Sequence, residues 1–408
     1  RAGRLCARSH QNRQDMNNTV AVTGMGCICA PGYSLDACWE GLCQGRKVCT
    51  PATVLHPDAL PYPFFAAPSA AFASGQRNHT ATDTVDLARF AAKQALSQAR
   101  LTPELCSEMA VVVGTTTGSS LHFFEGYKAV RSNQPHDGED IAAYFHSNVA
   151  LCLAVEHGAQ GPALTLVNAC TSGADAIGYA ANLLIQGQCD LALCGGVDAL
   201  SLVPHTGFVR LMIYSPEPCR PFDAQRKGLN LGEGAGLLVL ENVNHAARRG
   251  IEPLGFVIGY GAAADAFHFT APHPEAYGLS RAVAAALRMA DVDDHDLAFI
   301  NAHGTATPEN DRVEGRFFSK YFDHTPIWGS KGVTGHTLGA AGAIEAIFCL
   351  MALKQKFVPP TWGFKQQDDD IGLVPTQEAQ SITGHYAMST SLAFGGSNAA
   401  LVLARSVS

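Results

Sequence analysis

Residues 165–187 read TLVNACTSGADAIGYAANLLIQG. The run from Thr165 to Val167 is β-branched and apolar, which suits a strand. Cys170 follows, and then four small residues, Thr171, Ser172, Gly173 and Ala174. Beyond them Ile177, Ala180, Ala181, Leu184 and Ile185 recur at helical spacing. A thiol therefore sits at the joint between a strand and a helix. A nucleophile there feels the positive end of the helix dipole, which lowers a cysteine pKa. A tight turn exposes the side chain and aims backbone N–H groups at an incoming carbonyl oxygen. From this segment alone two readings stand: an acyl-accepting nucleophile or a buried structural cysteine.

Composition narrows the setting. The chain has 408 residues, 47% hydrophobic and 16% charged, enough for two large cores. Its 40 glycines and many alanines point to close strand–helix packing. No apolar run is expected to reach the ~18 residues of a membrane span. A net charge of -8 and a pI near 6.0 argue against nucleic acid as a partner. The 13 cysteines are odd in number and scattered, with Cys152, Cys194 and Cys349 inside apolar runs, so a reducing cytoplasm is expected. Cys27 and Cys29 are spaced CxC without a second pair at zinc-ligand spacing, and read as packing residues. Residues 1–17 are polar and Arg-rich without the apolar core of a secretory signal. They read as a disordered tag or extension before the fold, with a transit peptide as the alternative.

Strand-like and helix-like runs alternate throughout, the pattern of an α/β protein. Residues 83–99 carry Val85, Ala88, Ala91, Ala92 and Ala95 at helical spacing. Residues 109–118 read as a buried strand with a polar tip. The same order returns later: strand 253–265, helix 277–292, strand 296–301 with a polar tip, then an alanine-rich helix and paired strands. This suggests an internal duplication, with one half at 18–253 carrying Cys170 and the other at 254–408.

The second half carries two histidines in loops too polar for a core. His303 stands in NAHGTATPENDRVE (301–314) and His336 in SKGVTGHTLGAAGAIEA (330–346). A lone histidine after a strand is usually structural. A Cys–His–His set has a chemical use: neutral imidazole N–H groups donate to an oxyanion formed on a thioester. GEGAGLLVLE (232–241) lacks the Lys-Ser/Thr of a phosphate loop and runs into a strand, so no nucleotide site is read there.

These motifs, with ACTSGADAIG (169–178), CRPFDAQRKGLNLGEGAGLLVLE (219–241) and FGGSNAALVL (394–403), resemble the elongating β-ketoacyl-acyl-carrier-protein synthases. The resemblance runs from about Thr19 to Leu403. It implies the thiolase fold, two pseudo-duplicated αβαβα halves in five layers, with the site between them near a dimer surface. It implies an acyltransferase of fatty-acid or polyketide synthesis that condenses malonyl- and acyl-carrier protein, with no metal or redox cofactor. Cys170 would be acylated. His303 and His336 would support decarboxylation, with Lys331 and Glu345 organising them. Phe394 would gate the site and share an oxyanion hole with the Cys170 N–H. Thr305 and Thr307 would hold the pantetheine arm. Taken singly, Lys331 could be a surface lysine, Glu345 a solvated helix face, and the two threonines turn closers.

Departures from the family pattern bear on the acyl channel. Leu229 and Asn230 stand where an aromatic residue is frequent, Leu392 and Ala393 where Phe-Gly is common, and Thr117 where a larger apolar residue is usual; Gly395 follows the gate. Residues 72–83 carry only Arg77 where Lys and Arg often meet the carrier protein. These features favour a specialised route, polyketide or aryl-polyene assembly. The expected partners are the phosphopantetheine-bearing carrier protein and either a second copy or a chain-length subunit. A non-catalytic chain-length subunit usually lacks the nucleophile, which is present here. A degradative thiolase would use a second cysteine as base, and the NAHGTAT segment argues against it.

Overall fold

The computed structural model describes residues 19–51, 62–68, 83–118, 124–135, 138 and 148–406. Residues 1–17 and Arg77 lie outside them. Among the described residues the strands are β1 (Val20–Cys29), β2 (Cys49–Pro51), β3 (Pro63–Phe65), β4 (Ala110–Gly114), β5 (Ala163–Leu166), β6 (Leu191–Asp198), β7 (Gly234–Asn242), β8 (Gly255–Ala264), β9 (Leu297–Asn301), β10 (Ile327–Trp328), β11 (Phe357–Val358), β12 (Gln380–Ser381), β13 (Tyr386–Leu392) and β14 (Ser397–Ala404). Ten of them form one mixed sheet in the order β10-β9-β13-β14-β8-β1-β7-β6-β4-β5. Outward from the centre, β1-β7-β6-β4-β5 and β8-β14-β13-β9-β10 have the same order by chain rank. In each arm the outer pairings are parallel and the inner ones antiparallel. The arms join through only three residue pairs of β1 and β8. This is the duplication read from the alternating runs.

Glycines set how closely the layers meet. A Cβ at Gly24 or Gly26 of β1 would stand 2.1 Å from Ala95 O or 1.9 Å from Ala91 O of helix Asp83–Gln98. On β8 the same holds for Gly259 and Gly261, at 2.3 Å from Ala286 O and 2.1 Å from Ala282 O of helix Tyr277–Ala290. Helix backbone rests directly on strand backbone, which no larger residue permits.

Five layers result. Helices Asp83–Gln98 and Val149–His157 share one outer core with the first arm. Helices Tyr277–Ala290 and Pro308–Tyr321 share the other with the second. Between the arms lie helices Ser172–Ile185 and Ala341–Gln355. The latter is buried at every residue from Ala341 to Leu353. The stretch Leu338–Gln355 does reach 18 residues and is apolar enough to cross a membrane, contrary to the sequence expectation. It is 89% buried inside the protein, where an all-round apolar helix belongs.

Candidate active site

The chain leaves β5, and Ala169 adopts φ +50°, a left-handed conformation that costs an alanine about 1 kcal/mol or more. A short 3₁₀ turn, Ala169–Thr171, then feeds helix Ser172–Ile185. Hydrogen bonds hold this elbow. The Asn168 N–H donates to Ser172 Oγ (2.8 Å), which donates to Ala169 O (2.7 Å). Asp175 accepts from Asn168 Nδ2 (2.6 Å), Thr171 Oγ1 (2.7 Å) and the Tyr260 hydroxyl (2.9 Å). Tyr260 comes from β8, so the second half helps fix the nucleophile of the first.

The strand-to-helix joint places Cys170, but not as a low-pKa thiol. Cys170 is buried, and burial pushes its thiol up to about 12 against the Lys331 charge and the N–H groups of Phe394 and Cys170. The sequence expectation of a lowered pKa fails here. A helix terminus is worth ~0.3–2 kcal/mol, less than withdrawing a thiolate from water.

His303 follows β9 in a loop pinned by two carboxylates of helix Pro308–Tyr321. Glu314 accepts the N–H groups of His303 (2.7 Å) and Gly304 (2.8 Å). Asp311 accepts those of Ala306 (3.1 Å) and Phe222 (2.6 Å). Both acids were inside a motif quoted above without a role. Their i, i+3 spacing just after Pro308 was the available signal. Burial raises both, Glu314 to about 7.

Lys331 precedes His336 by five residues, yet its ammonium serves His303. It donates to His303 O (2.6 Å) and Glu345 Oε1 (2.5 Å) and lies 3.2 Å from His303 Nδ1. Lys331 and Glu345 are both buried, so neither the surface nor the solvated-face reading holds. Facing an ammonium, Nδ1 of His303 accepts, and its ring proton sits on Nε2. His336 Nδ1 accepts the Leu338 N–H (3.3 Å), so its proton is also on Nε2, 3.1 Å from Cys170 Sγ. The rings meet edge to face at 5.0 Å. One nitrogen of each ring and Cys170 Sγ all lie within 4.8 Å of one another. Burial first, then the Lys331 charge, hold both imidazoles well below their ordinary pKa, and for His303 the neighbouring His336 adds to this.

A Lys331→Met variant should lose about 3–5 kcal/mol of stability, because Glu345 is left buried with only Ser330 Oγ as a neutral donor (3.1 Å). Adding Glu345→Leu should recover most of that loss. Urea midpoints of the single and double variants measure the difference, and equal midpoints would refute the coupling.

A cavity of about 290 Å³ reaches these groups, lined among others by Cys170, both histidines, Leu229, Thr305, Thr307, Leu392, Ala393 and Phe394. The hydroxyls of Thr305 and Thr307 are 2.9 Å apart. The Phe394 ring stacks at a tilt on Phe208, centroids 5.5 Å apart. The Asn230 side-chain oxygen accepts the Cys219 N–H, its Nδ2 donates to Ser215 O and Pro63 O, and its backbone carbonyl accepts the His336 N–H (2.8 Å). Two residues named from the sequence lie elsewhere. Thr117 gives its N–H (3.1 Å) and hydroxyl (3.2 Å) to buried Asp198, which also binds Gly339 N (2.6 Å) beyond His336. Gly395, at φ +87°, donates its N–H to Phe269 O (2.8 Å).

Two family models match in succession: "Beta-ketoacyl synthase, N-terminal domain" over residues 17–246 and "Beta-ketoacyl synthase, C-terminal domain" over 254–365. The 3-oxoacyl-(acyl-carrier-protein) synthase 2 of Staphylococcus aureus is 33% identical over 95% of this chain and 98% of its own. A polyketide beta-ketoacyl synthase 1 of Streptomyces halstedii is 32% identical over 95% and 98%. The solved ishigamide ketosynthase/chain length factor superposes with a TM-score of 0.87 at 31% identity, over 95% of this chain and 98% of that one. With its nucleophile elbow, its paired imidazoles and both domain models accounted for, this chain belongs to the beta-ketoacyl synthase family.

Proposed function

We propose that the protein extends an acyl chain by decarboxylative Claisen condensation, and that Cys170, His303 and His336 carry the reaction. The observation behind this reading is the grouping of two neutral imidazoles with a buried sulfur in one cavity, a nitrogen of each ring and Cys170 Sγ lying within 4.8 Å of one another and His336 Nε2 at 3.1 Å from the sulfur. In the first step Cys170 Sγ attacks the acyl thioester of the carrier protein. The Sγ–carbonyl bond forms, the carrier thiolate leaves, and it takes up the thiol proton. Because the proton is handed on, the high pKa of Cys170 does not block the exchange. In the second step a malonyl thioester loses carbon dioxide. Its enolate oxygen accepts from the two imidazoles, which need no charge to donate. The enolate carbon then attacks the Cys170 thioester, whose oxyanion meets the N–H groups of Cys170 and Phe394. Collapse expels the cysteine thiolate, which is reprotonated. Incubation with acyl- and malonyl-carrier protein tests this: 3-oxoacyl-carrier protein and an acyl adduct on Cys170, read by mass spectrometry, are expected. Product without that adduct overturns the assignment.

Thr305 and Thr307 would bind the amides of the pantetheine arm, and Leu229, Leu392 and Phe394 would border the acyl chain. Thr117 would act at one remove, through Asp198. A specialised polyketide-type pathway is supported by the Streptomyces relative and by the departures at Leu229 and Ala393. A reducing, cytoplasmic setting is supported by the free state of all 12 cysteines among the described residues.

The chain would work as a dimer. PALTLVNAC (162–170) is apolar at nearly every position, a pattern that predicts a strand covered on both faces. Within one chain it is not: β5 is the outermost strand of its arm. Val167 is 69% exposed, with Leu151 (54%) and Val155 (74%) of helix Val149–His157 also uncovered. An apolar edge strand of this kind invites pairing. The ishigamide relative is described as a ketosynthase with a chain length factor, which supports a heterodimer beside the homodimer. Light scattering on this chain alone should give twice the chain mass, or aggregation that a co-expressed chain-length subunit relieves. A stable monomer would refute the interface.

A further inference from the structure

A second group of three ligating side chains lies outside the catalytic cavity. Cys27 and Cys29, two residues apart in the regular part of β1 beyond the bulge between Val22 and Gly24, project from one face. Cys29 closes a turn with Gly32, N–H to carbonyl in both directions at 3.1 and 3.0 Å. Ser34 caps helix Leu35–Cys43, accepting from Ala37 N at 3.2 Å. One turn in, Cys38 points back at the strand, its Sγ 3.1 Å from Gly32 O. The three Sγ atoms all lie within 4.8 Å of one another, and all three residues are 0% exposed. Without a second cysteine pair at zinc-ligand spacing, the sequence predicts packing roles for Cys27 and Cys29. The fold supplies the third sulfur, from a Cys-x-Cys-x₈-Cys strand–turn–helix.

We propose that Cys27, Cys29 and Cys38 together hold one Cu(I) ion. Three sulfurs bound at about 2.3 Å to a common centre stand roughly 3.8–4.0 Å apart, which the observed spacing admits with little movement. The donor set is all sulfur, the choice of a soft ion and not of Mg(II) or Ca(II). Zn(II) takes four ligands, and this group offers three, with no histidine or carboxylate joined to them among the described residues. Each sulfur that binds as thiolate releases its proton to solvent. The sulfurs are covered on every side, so the ion enters as the chain folds. It then resists chelators in the native protein and is released on unfolding.

The test uses the whole protein, expressed in copper-supplemented medium, purified without oxygen and dialysed against a strong Cu(I) chelator. Mass spectrometry of the metal content is expected to give one copper per chain. That value should fall below a tenth in Cys27→Ser, Cys29→Ser and Cys38→Ser. It should not change in Cys194→Ala, which removes another buried core thiol, nor in Cys170→Ala. Should the serine variants fail to fold, X-ray absorption on the unaltered protein still decides, with three sulfur neighbours and no nitrogen expected. Absence of retained copper, zinc in its place, nitrogen neighbours, or loss of copper in Cys170→Ala would each overturn the proposal. The last two would place the ion with His303 and His336.

Discussion

Cys170→Ala should take up no acyl group and form 3-oxoacyl product at least roughly 10³-fold more slowly, as expected when a covalent nucleophile is removed. The other two members of the site remain in place. His303 keeps its Glu314 and Lys331 contacts, and His336 keeps the Leu338 N–H. The variant should therefore still release carbon dioxide from malonyl-carrier protein. Intact-protein mass spectrometry reads the first half and radiolabelled carbon dioxide the second. Elongation at the unaltered rate would remove Cys170 from the mechanism. Loss of decarboxylation along with condensation would mean that the sulfur takes part in both steps.

His303→Ala and His336→Ala should divide the reaction the other way. Each removes one Nε2–H donor, and losing one donor of this kind costs about 10²–10³ in rate. Carbon dioxide release should fall by that factor while Cys170 still accepts an acyl group. Lys331 in His303→Ala keeps the Glu345 carboxylate and the carbonyl of residue 303, so its charge stays paired. The pH dependence gives an independent reading. A free imidazole gains charge as pH falls through about 6.5. Burial and Lys331 hold these two well below that value, so they stay neutral there. Decarboxylation by the unaltered protein should show no inflection near pH 6.5, and one centred there would contradict the depressed pKa values. Unchanged carbon dioxide release in either variant would exclude that histidine.

Local sequence carried the pieces of this site, because each depends on a local pattern. A β-branched run, a cysteine and four small residues mark a strand–turn–helix joint along the chain, although Tyr260 of the second half helps to hold it. The polar loops after β9 and before helix Ala341–Gln355 mark His303 and His336 in the same way, and the repeated order of runs exposes the duplication. What the pieces do to one another was legible only in the fold. His336 meets Cys170 across 166 residues of chain, and Lys331 turns from its neighbour His336 to His303, 28 residues away. The pKa of Cys170 runs opposite to the helix-dipole expectation because burial, a property of all five layers, outweighs the end of one helix. Thr117 faces Asp198 and not the cavity, since Asp198 collects the N–H groups of two separate loops. Cys38 joins Cys27 and Cys29 only once a capped turn folds its helix back over β1. Periodicity and turn chemistry act over a few residues and can be read along a chain. Desolvation and side-chain pairing depend on neighbours that the chain order does not name.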